Sequence, residues 1–383
     1  MKSYNHLFEK LISYENLLKA IRKSSKRKRD RKDVQRVLKN PDKYIKRLQE
    51  LLITQTYKIP HHNARPIWDK NSNKWRTLII PRYVYEQILQ HAIVQVLQPI
   101  FMRGMYQYSC GSIPKRGAHY GKRYLEKYLK KNAKNVRYVL KLDAYHYYQS
   151  VDIDLLKEKF RKKIHDEKML YCIFLVLDSN IAELNGEEIN MGLPIGFYTS
   201  QWFANWFLEK FDHTVKQQYK VKCYTRYVDD MVLAGKNKKL LHQTFKNIQE
   251  YLKGIHLKVK KNWQLYKFVY KNKKGELIGR DIDFMGFRFF GFKTILRKSI
   301  MLNATAKALR VAKKDKITTY DAQQLISYTG YFKHTDTYNV YQKRIYKVVN
   351  IDVCKRLISQ SAKRKTRGKN VKFLRFRKYG KTE

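Results

Sequence analysis

The chain has 383 residues, enough for two or three packed subdomains, and its 43% apolar content excludes wholesale disorder. Its 82 Lys and Arg against 32 acidic residues give a net charge of +50, far more than solubility requires. With 30 Tyr, 18 Phe and 5 Trp as possible stacking surfaces, this charge favours nucleic acid over a membrane surface as the partner.

Cysteine usage and the N-terminus exclude further classes. The four cysteines form no CxxC pair, so we expect buried free thiols rather than a zinc site or a disulfide framework. No apolar run approaches the length of a membrane span, and the N-terminus has no cleavable hydrophobic region. We therefore expect a cytoplasmic protein without a membrane partner.

The N-terminal third is predicted to be helical, then a hairpin, then helical again. Residues 1–58 form a basic helical region whose run Arg22–Arg29 is either a solvated face or a phosphate contact. Residues 65–80 read as a hairpin with a polar turn at 71–73, closed by Pro81. A long helix is expected over 83–102.

The middle of the chain alternates between strands and helices. A Gly/Pro loop at 109–117 and a helix at 118–131 precede a strand, Val136–Asp143, that ends on a carboxylate. Asn185-Gly186 signals a type I′ hairpin turn, and a helix is expected over 199–218. This alternation indicates a mixed sheet with helices on one face.

The sequence Tyr227-Val228-Asp229-Asp230 is predicted to form the tip of a third hairpin. Adjacent carboxylates at such a turn are either simply solvated or hold a cation, and Mg²⁺ suits them because it prefers oxygen ligands. Phosphoryl transfer with two Mg²⁺ ions needs carboxylates from separate elements, and Asp143 is the obvious partner. Asp152 and Asp154 are interpreted as helix N-cap or first-turn residues.

The C-terminal part is predicted to return to helices. A helix at 238–253, a short strand near 257–259 and a charged turn at 273–275 precede a strand over 282–289. Residues 295–383 are expected to be helical, and the tail from 363 to 381 carries ten Lys or Arg and no acid.

In this order the motifs resemble a reverse transcriptase, from about residue 65 to 290. Leu142–Asp152 resembles the family's first catalytic block, Lys74-Trp75-Arg76 its fingers segment, and Asp283–Phe289 its primer-grip strand. The resemblance implies an α+β fold with right-hand polymerase architecture, namely fingers, a palm sheet backed by helices, and a helical thumb. It divides the chain into a basic N-terminal region (1–58), fingers (59–135), palm with interleaved fingers elements (136–290), and helical thumb with basic tail (291–383).

The resemblance also assigns roles to individual residues. It implies that the catalytic metals are bound by Asp143, Asp229 and Asp230, with the carbonyl of Ala144 as a further ligand. It implies contacts with the incoming nucleotide for Lys74, Arg76, Tyr148, Ile195 and Gly196. It implies contacts with template or primer for Gln201, Tyr227, Met285 and Gly286.

Some of these roles have a direct physical reason. The ring of Tyr148, at the steric-gate position, would collide with a ribose 2′-hydroxyl and so favour dNTPs; simple core packing is the alternative. Arg76 would contact the triphosphate, with Lys70 or Lys74 as nearby cations. One lysine of Leu257–Trp263 would act as general acid for pyrophosphate, but the sequence does not single it out.

One block departs from the commoner pattern of Gln-Gly followed by Ser-Pro. Here it reads Ile195-Gly196-Phe197-Tyr198-Thr199-Ser200-Gln201, which resembles the enzymes of diversity-generating retroelements, as does the segment Ser327–Asp336. That resemblance implies error-prone copying of a template RNA at adenines into cDNA, and a small basic helical accessory protein that forms a pentameric ring. We expect Ile195 to weaken checking of the incoming nucleotide, because an apolar side chain cannot hydrogen-bond it.

Other interpretations stay open. A retron or phage-defence reverse transcriptase would share the same blocks, whereas a group II intron maturase fits less well. A catalytically idle RNA-binding protein on the same scaffold is the alternative from another class, and the intact Asp143, Asp229 and Asp230 argue against it. In every case the expected location is the cytoplasm of a bacterial, archaeal or phage-infected cell.

Overall fold

The computed structural model describes residues 3–69, 74–366 and 373–375. The chain divides into two compact units, Met1–Gly121 with Leu140–Leu265, and Lys122–Val139 with Tyr266–Glu383. The predicted fingers, palm and thumb boundaries stay predictions.

The helices and strands follow one another in short elements. The helices are α1 (Phe8–Ile12), α2 (Tyr14–Ser24), α3 (Lys32–Lys39), α4 (Pro41–Ile53), α5 (Ile88–Gly104), α6 (Ala118–Lys131), α7 (Tyr147–Ser150), α8 (Ile153–Arg161), α9 (Glu167–Asp178), α10 (Tyr198–Phe207), α11 (Glu209–His213), α12 (Lys238–Lys253), α13 (Lys298–Ala312), α14 (Thr319–Lys333), α15 (Tyr338–Tyr341) and α16 (Ile351–Thr366). The strands are β1 (His62–Asp69), β2 (Lys74–Ile79), β3 (Ser109–Cys110), β4 (Tyr138–Asp143), β5 (Ile181–Leu184), β6 (Glu187–Asn190), β7 (Cys223–Tyr227), β8 (Asp230–Gly235), β9 (Gln264–Lys267), β10 (Tyr270–Lys271), β11 (Leu277–Ile278), β12 (Ile282–Phe284), β13 (Phe287–Phe289), β14 (Thr294–Leu296), β15 (Lys316–Thr318) and β16 (Phe373–Arg375).

The first unit contains a four-stranded sheet of order β2-β1-β5-β6. Its antiparallel β1–β2 pair confirms the hairpin predicted over 65–80, although the predicted turn at 71–73 lies outside the described residues. The β5–β6 hairpin turns at Asn185 and Gly186, whose φ angles of 54° and 87° confirm the type I′ signal.

A five-stranded sheet of order β3-β7-β8-β4-β9 carries the two predicted carboxylate positions. The antiparallel β7–β8 pair confirms the third predicted hairpin, and β4 ends at Asp143 as expected. Beside it, α5, α8 and α10 pack through an aromatic cluster in which Trp206 lies 4.7 Å from Phe160 and 5.0 Å from Phe101, between ring centroids. This core anchors the helix that follows the Gly192–Gly196 segment.

Two predicted helices of the first unit are shorter or broken. The helix expected from residue 83 begins at Ile88, because Val84 has an extended ψ of 124° and Tyr85 a positive φ of 65°. The helix expected over 199–218 is divided into α10, α11 and a π-helical turn at Thr214–Gln218. The short strand expected near 257–259 is only a bridge between Ala144 and Val259.

The second unit contains the sheet β12-β13-β14 and the pairs β10–β11 and β15–β16. The single strand predicted over 282–289 is wrong, since Met285 and Gly286 turn the chain with φ angles of 54° and 86°. L side chains rarely adopt a φ of 86°, so glycine suits position 286. The purely helical C-terminal region is also corrected by β14, β15 and β16, and most of the predicted basic tail lies outside the described residues.

Two expectations about side chains and membranes can be compared with the structure. All four cysteines are buried and free, as predicted from their spacing. Within the described part of the chain, no helix combines the length and apolar character needed to cross a bilayer.

Candidate active site

The β7–β8 turn has an unusual backbone that tertiary contacts hold in place. Tyr227 pairs with Asp230, so Val228 and Asp229 form the turn itself, and Val228 adopts a φ of 59°. A β-branched residue rarely adopts this left-handed conformation, because its Cβ crowds the backbone. The Val228 N–H donates to the carbonyl of Cys110 over 3.0 Å.

The Gly/Pro loop predicted at 109–117 lies directly behind this turn. Gly111 has a φ of 91°, and a Cβ there would lie 2.7 Å from Cγ2 of Val228 and 3.3 Å from the Tyr227 ring. Glycine is therefore required so that the loop and the turn can approach so closely.

A buried ion pair between Arg226 and Asp212 lies next to the turn, and it was not predicted from the sequence. Arg226 and Asp212 are both 0% exposed and bond through Nε to Oδ1 (2.8 Å) and through Nη2 to Oδ2 (2.6 Å). Nη1 of Arg226 also donates to the Val228 carbonyl over 2.7 Å, and Tyr224 donates to Asp212 over 2.6 Å. Burial lowers the pKa of Arg226, but the charge of Asp212 outweighs it and the net shift is upward. The available signal was an arginine inside a short strand of otherwise uncharged residues.

Asp143 and Asp229 are brought together as the sequence predicted. The Ala144 N–H donates to the carbonyl of Asp229 over 3.3 Å, which places the end of β4 beside the turn. Burial raises the pKa of Asp229 to about 7, with a further contribution from the negative charge of Asp143 and a hydrogen bond between the two carboxyl groups. Two carboxyl groups this close repel each other when both are ionised.

Two lysines contact the carboxylates. Nζ of Lys260 donates to Oδ2 of Asp143, and the Lys260 N–H donates to the Asp143 carbonyl over 2.8 Å. Nζ of Lys141 lies 3.9 Å from Oδ2 of Asp230. Among the lysines of the predicted segment 257–263, Lys260 is therefore the one seated at the carboxylates, a distinction the sequence alone did not make.

One feature of the carboxylates favours a divalent cation and another does not. Oδ1 of Asp143 is buried without a hydrogen-bond partner, and the mutual repulsion of Asp143 and Asp229 would be relieved by positive charge. Within residues 3–69, 74–366 and 373–375, however, no three His, Cys, Asp or Glu side chains converge closely enough to hold a metal ion. Asp143 and Asp229 lie together, and Asp230 has Nζ of Lys141 3.9 Å from its Oδ2, so the metal-binding roles of all three stay predictions.

Tyr148, predicted to lie at the steric-gate position, is within electrostatic range of Asp229 and Arg76. Burial raises the pKa of its phenol, and the charge of Asp229 raises it further, whereas Arg226 and Arg76 lower it. Its carbonyl accepts from the Leu193 N–H over 2.8 Å, which ties it to the segment before α10.

The predicted phosphate-binding residues lie on the first hairpin. Nε of Arg76 donates to Oδ2 of Asp69 over 2.8 Å, and Lys74 is the cross-strand neighbour of Asp69. Lys70 lies outside the described residues. Both side chains of the Arg76–Asp69 pair are partly exposed, so the ion pair contributes little to stability.

The Ile195–Gln201 block contacts the β1–β2 hairpin through its backbone. The Ile79 N–H donates to the Ile195 carbonyl over 3.0 Å, and a Cβ on Gly196, whose φ is 120°, would lie 1.9 Å from the Ile79 oxygen. Gln201 is exposed and lines a cavity of about 340 Å³ together with Gly196 and the stacked rings of His91 and Tyr198.

The other predicted residues have different surroundings. Met285 and Gly286, predicted to contact the primer, belong to the second unit and form its β12–β13 turn. Asp152 caps α8 by accepting from the Leu155 N–H over 2.9 Å, which confirms its interpretation as an N-cap.

The sequence pattern of the family "Reverse transcriptase (RNA-dependent DNA polymerase)" matches residues 67–289, more than half of the chain. The chain therefore belongs to the reverse transcriptase family, whose members are nucleotidyltransferases. Its mixture of helices and sheets confirms the α+β fold class expected for such a polymerase.

Two individual proteins illustrate the similarity. The protein YkfC of Escherichia coli (strain K12) is 25% identical over 204 residues, which cover 52% of this chain and 49% of that protein. The chain thus spans about half the length of this relative. A structure of telomerase from Candida albicans in complex with the TWJ fragment of telomeric RNA aligns with a TM-score of 0.45 and 13% identity, over 80% of this chain and 64% of that one.

Proposed function

We propose that the chain is an RNA-directed DNA polymerase that copies a template RNA into cDNA from dNTPs. The observation that carries this proposal is the paired, half-buried carboxylates Asp143 and Asp229 at the end of β4 and the β7–β8 turn. Family membership supplies the class of reaction, and the carboxylate pair supplies a place for it within this chain.

Asp143 and Asp229 would hold Mg²⁺, with Asp230 and the Ala144 carbonyl as further predicted ligands. The ions would neutralise charge on the triphosphate and activate the primer 3′-hydroxyl. Lys260, which bonds Asp143 in this structure, would exchange that contact for the departing pyrophosphate and protonate it.

The remaining residues would position the nucleotide. Arg76 would exchange Asp69 for the triphosphate, because a phosphate group with two negative charges binds a guanidinium more strongly than a single carboxylate does. The Tyr148 ring, within reach of the Asp229 charge, would exclude a ribose 2′-hydroxyl. Lys74, Gly196, Gln201 and Tyr227 keep their predicted roles beside nucleotide, template and primer.

The finer assignment follows from the Ile195–Gln201 block. Within our proposal the enzyme belongs to a diversity-generating retroelement, makes errors at template adenines, and works with a small basic helical accessory protein. What supports this assignment is the sequence of the block itself, in which Ile195 offers an apolar side chain and Gln201 stands where proline is commoner.

Incorporation of dNTPs on an RNA template with an annealed DNA primer tests the proposal. With Mg²⁺ and the accessory protein present, the wild type should extend the primer and Asp229→Asn should reduce extension by several orders of magnitude. Asp178→Asn, a change at an exposed acidic residue of the same unit, should leave extension unchanged. A wild type that binds RNA but never extends the primer would establish the idle RNA-binding scaffold instead.

A further inference from the structure

The second unit exposes large apolar side chains on β10, β11 and the turn after β13. The exposed fractions are 40% for Tyr270, 48% for Leu277, 43% for Ile278 and 54% for Phe292. Tyr270 is the cross-strand partner of Ile278, so these two lie side by side. Exposed apolar groups gathered in this way mark an interaction site more often than isolated ones do.

The β10–β11 hairpin and the turn after β13 both approach Phe268. This side chain is only 5% exposed. A Cβ on Gly291 would lie 3.3 Å from its ring, and a Cβ on Gly279, whose φ is 92°, would lie 2.6 Å from its carbonyl oxygen. Phe268 therefore approaches Gly279 of the hairpin with its carbonyl and Gly291 of the turn with its ring, and we call these two segments together the hairpin surface (residues 267–280 and 290–293).

Cations accompany the exposed rings. Nζ of Lys267 lies 4.4 Å from the ring centre of Tyr270, and Nζ of Lys293 lies 5.5 Å from that of Phe292. Such cation–π contacts fix the orientation of a ring without removing it from solvent.

The charge of the hairpin surface is strongly one-sided. Residues 267–280 contain five Lys or Arg and one acid, Glu276. Asp281, the next acid, is bonded by Arg288 over 2.6 Å and so does not neutralise these cations. A polyanion complements this charge, whereas a basic protein would be repelled.

We propose that the hairpin surface binds a single-stranded segment of RNA that is not being copied. Bases would stack on Tyr270 and Phe292, and Lys267, Lys271 and Lys293 would contact the phosphates between them. Interleaved rings and cations suit an unpaired strand, because a duplex keeps its bases inside and offers only phosphates. The inference rests on the proposed function only for the choice of RNA, and none of these residues belongs to the carboxylate site.

Fluorescence anisotropy of the full chain with a labelled oligo(U) of about 20 nucleotides tests this site. In Tyr270→Ser/Phe292→Ser the positive charge is kept and the stacking is lost, so the affinity should fall about tenfold or more. In Lys271→Gln/Lys293→Gln the affinity should also fall, and its dependence on salt concentration should become less steep. Tyr338→Ser is the matched control, since Tyr338 is 42% exposed in the same unit and should bind RNA as the wild type does.

Primer extension on a short annealed template distinguishes this site from the polymerase site. The ring variant should extend a primer at the wild-type rate. Equal oligo(U) affinity in the ring variant and the control would overturn the proposal and leave the surface to a protein partner. Loss of extension in the ring variant would overturn it too, because the rings would then belong to the template–primer site. A wild type that binds oligo(U) through these rings but does not extend primers would refute the proposed function alone.

Discussion

Arg226 donates to the carbonyl oxygen of Val228 while its other two nitrogens bond the carboxylate of Asp212. The guanidinium thus connects a buried negative charge to the backbone of the turn that carries Asp229. Because Val228 has a positive φ, this bond and the one to Cys110 hold a conformation that the turn would otherwise leave.

Removing this arginine should separate stability from activity. Arg226→Met leaves Asp212 buried without its cation, so we expect a loss of about 3–5 kcal/mol in the free energy of unfolding, measured by urea denaturation. Adding Asp212→Asn removes the uncompensated charge and should recover much of that stability. Primer extension should stay low in both variants, because neither has a donor for the Val228 carbonyl.

The double variant decides whether Arg226 positions the turn. Full recovery of extension together with stability would show that the arginine only compensates Asp212. Arg226→Lys is a second comparison. It keeps the positive charge, but a single ammonium cannot bond both carboxylate oxygens of Asp212 and the Val228 carbonyl in the same geometry.

Gly196 should tolerate no side chain. Its φ is 120° and an added Cβ would lie 1.9 Å from the Ile79 oxygen, so Gly196→Ala should lower the free energy of unfolding by more than about 1 kcal/mol. Gly117→Ala is the control, because a Cβ there would meet no atom within 4 Å. Thermal unfolding of the two variants should differ clearly, and equal melting temperatures would contradict the geometry.

His91 should make the fold sensitive to mild acid. Burial, together with the charges of Lys28 and Lys23, lowers the pKa of His91 to about 4 in the folded chain. The unfolded chain binds the proton near pH 6.5, so stability is complete above that pH and falls, by up to about 3 kcal/mol, as the pH approaches 4.

Urea denaturation between about pH 4.5 and 7.5, which spans most of the interval between the folded and unfolded pKa values of His91, measures this effect. His91→Phe keeps a ring against Tyr198, whose ring centre lies 3.8 Å from that of His91, and removes the titrating group. The difference in stability between the variant and the wild type should grow in the variant's favour as the pH falls. A constant difference would mean that His91 does not take part in the pH dependence.

Ile195 should influence copying accuracy. Replacing it by glutamine restores a hydrogen-bonding amide, so Ile195→Gln should lower the error frequency at template adenines in sequenced cDNA. Ile195→Val, which keeps an apolar side chain, is the control and should retain the wild-type error pattern. Equal error frequencies at adenines and at other template bases in the wild type would refute the retroelement assignment.

Features that depend on a few neighbouring residues were predicted from the sequence, whereas features that depend on contacts between distant segments were missed. The carboxylate at the end of β4 and the Asp229 turn were predictable, because each follows from its own few residues. Arg226 and Lys260 were not, because their roles depend on Asp212 and Asp143, which are 14 and 117 residues away. The turn at Met285 was missed since its alternating apolar pattern is equally typical of a continuous strand.

The hydrogen bond between Ile79 and Ile195 joins main-chain atoms, so no side-chain atom of position 195 takes part in it. A saturation library at this codon would vary the chemistry beside the nucleotide while keeping the scaffold constant. If our assignment is right, mutation rate becomes a property that evolution or an engineer can adjust one residue at a time, without first repairing the fold.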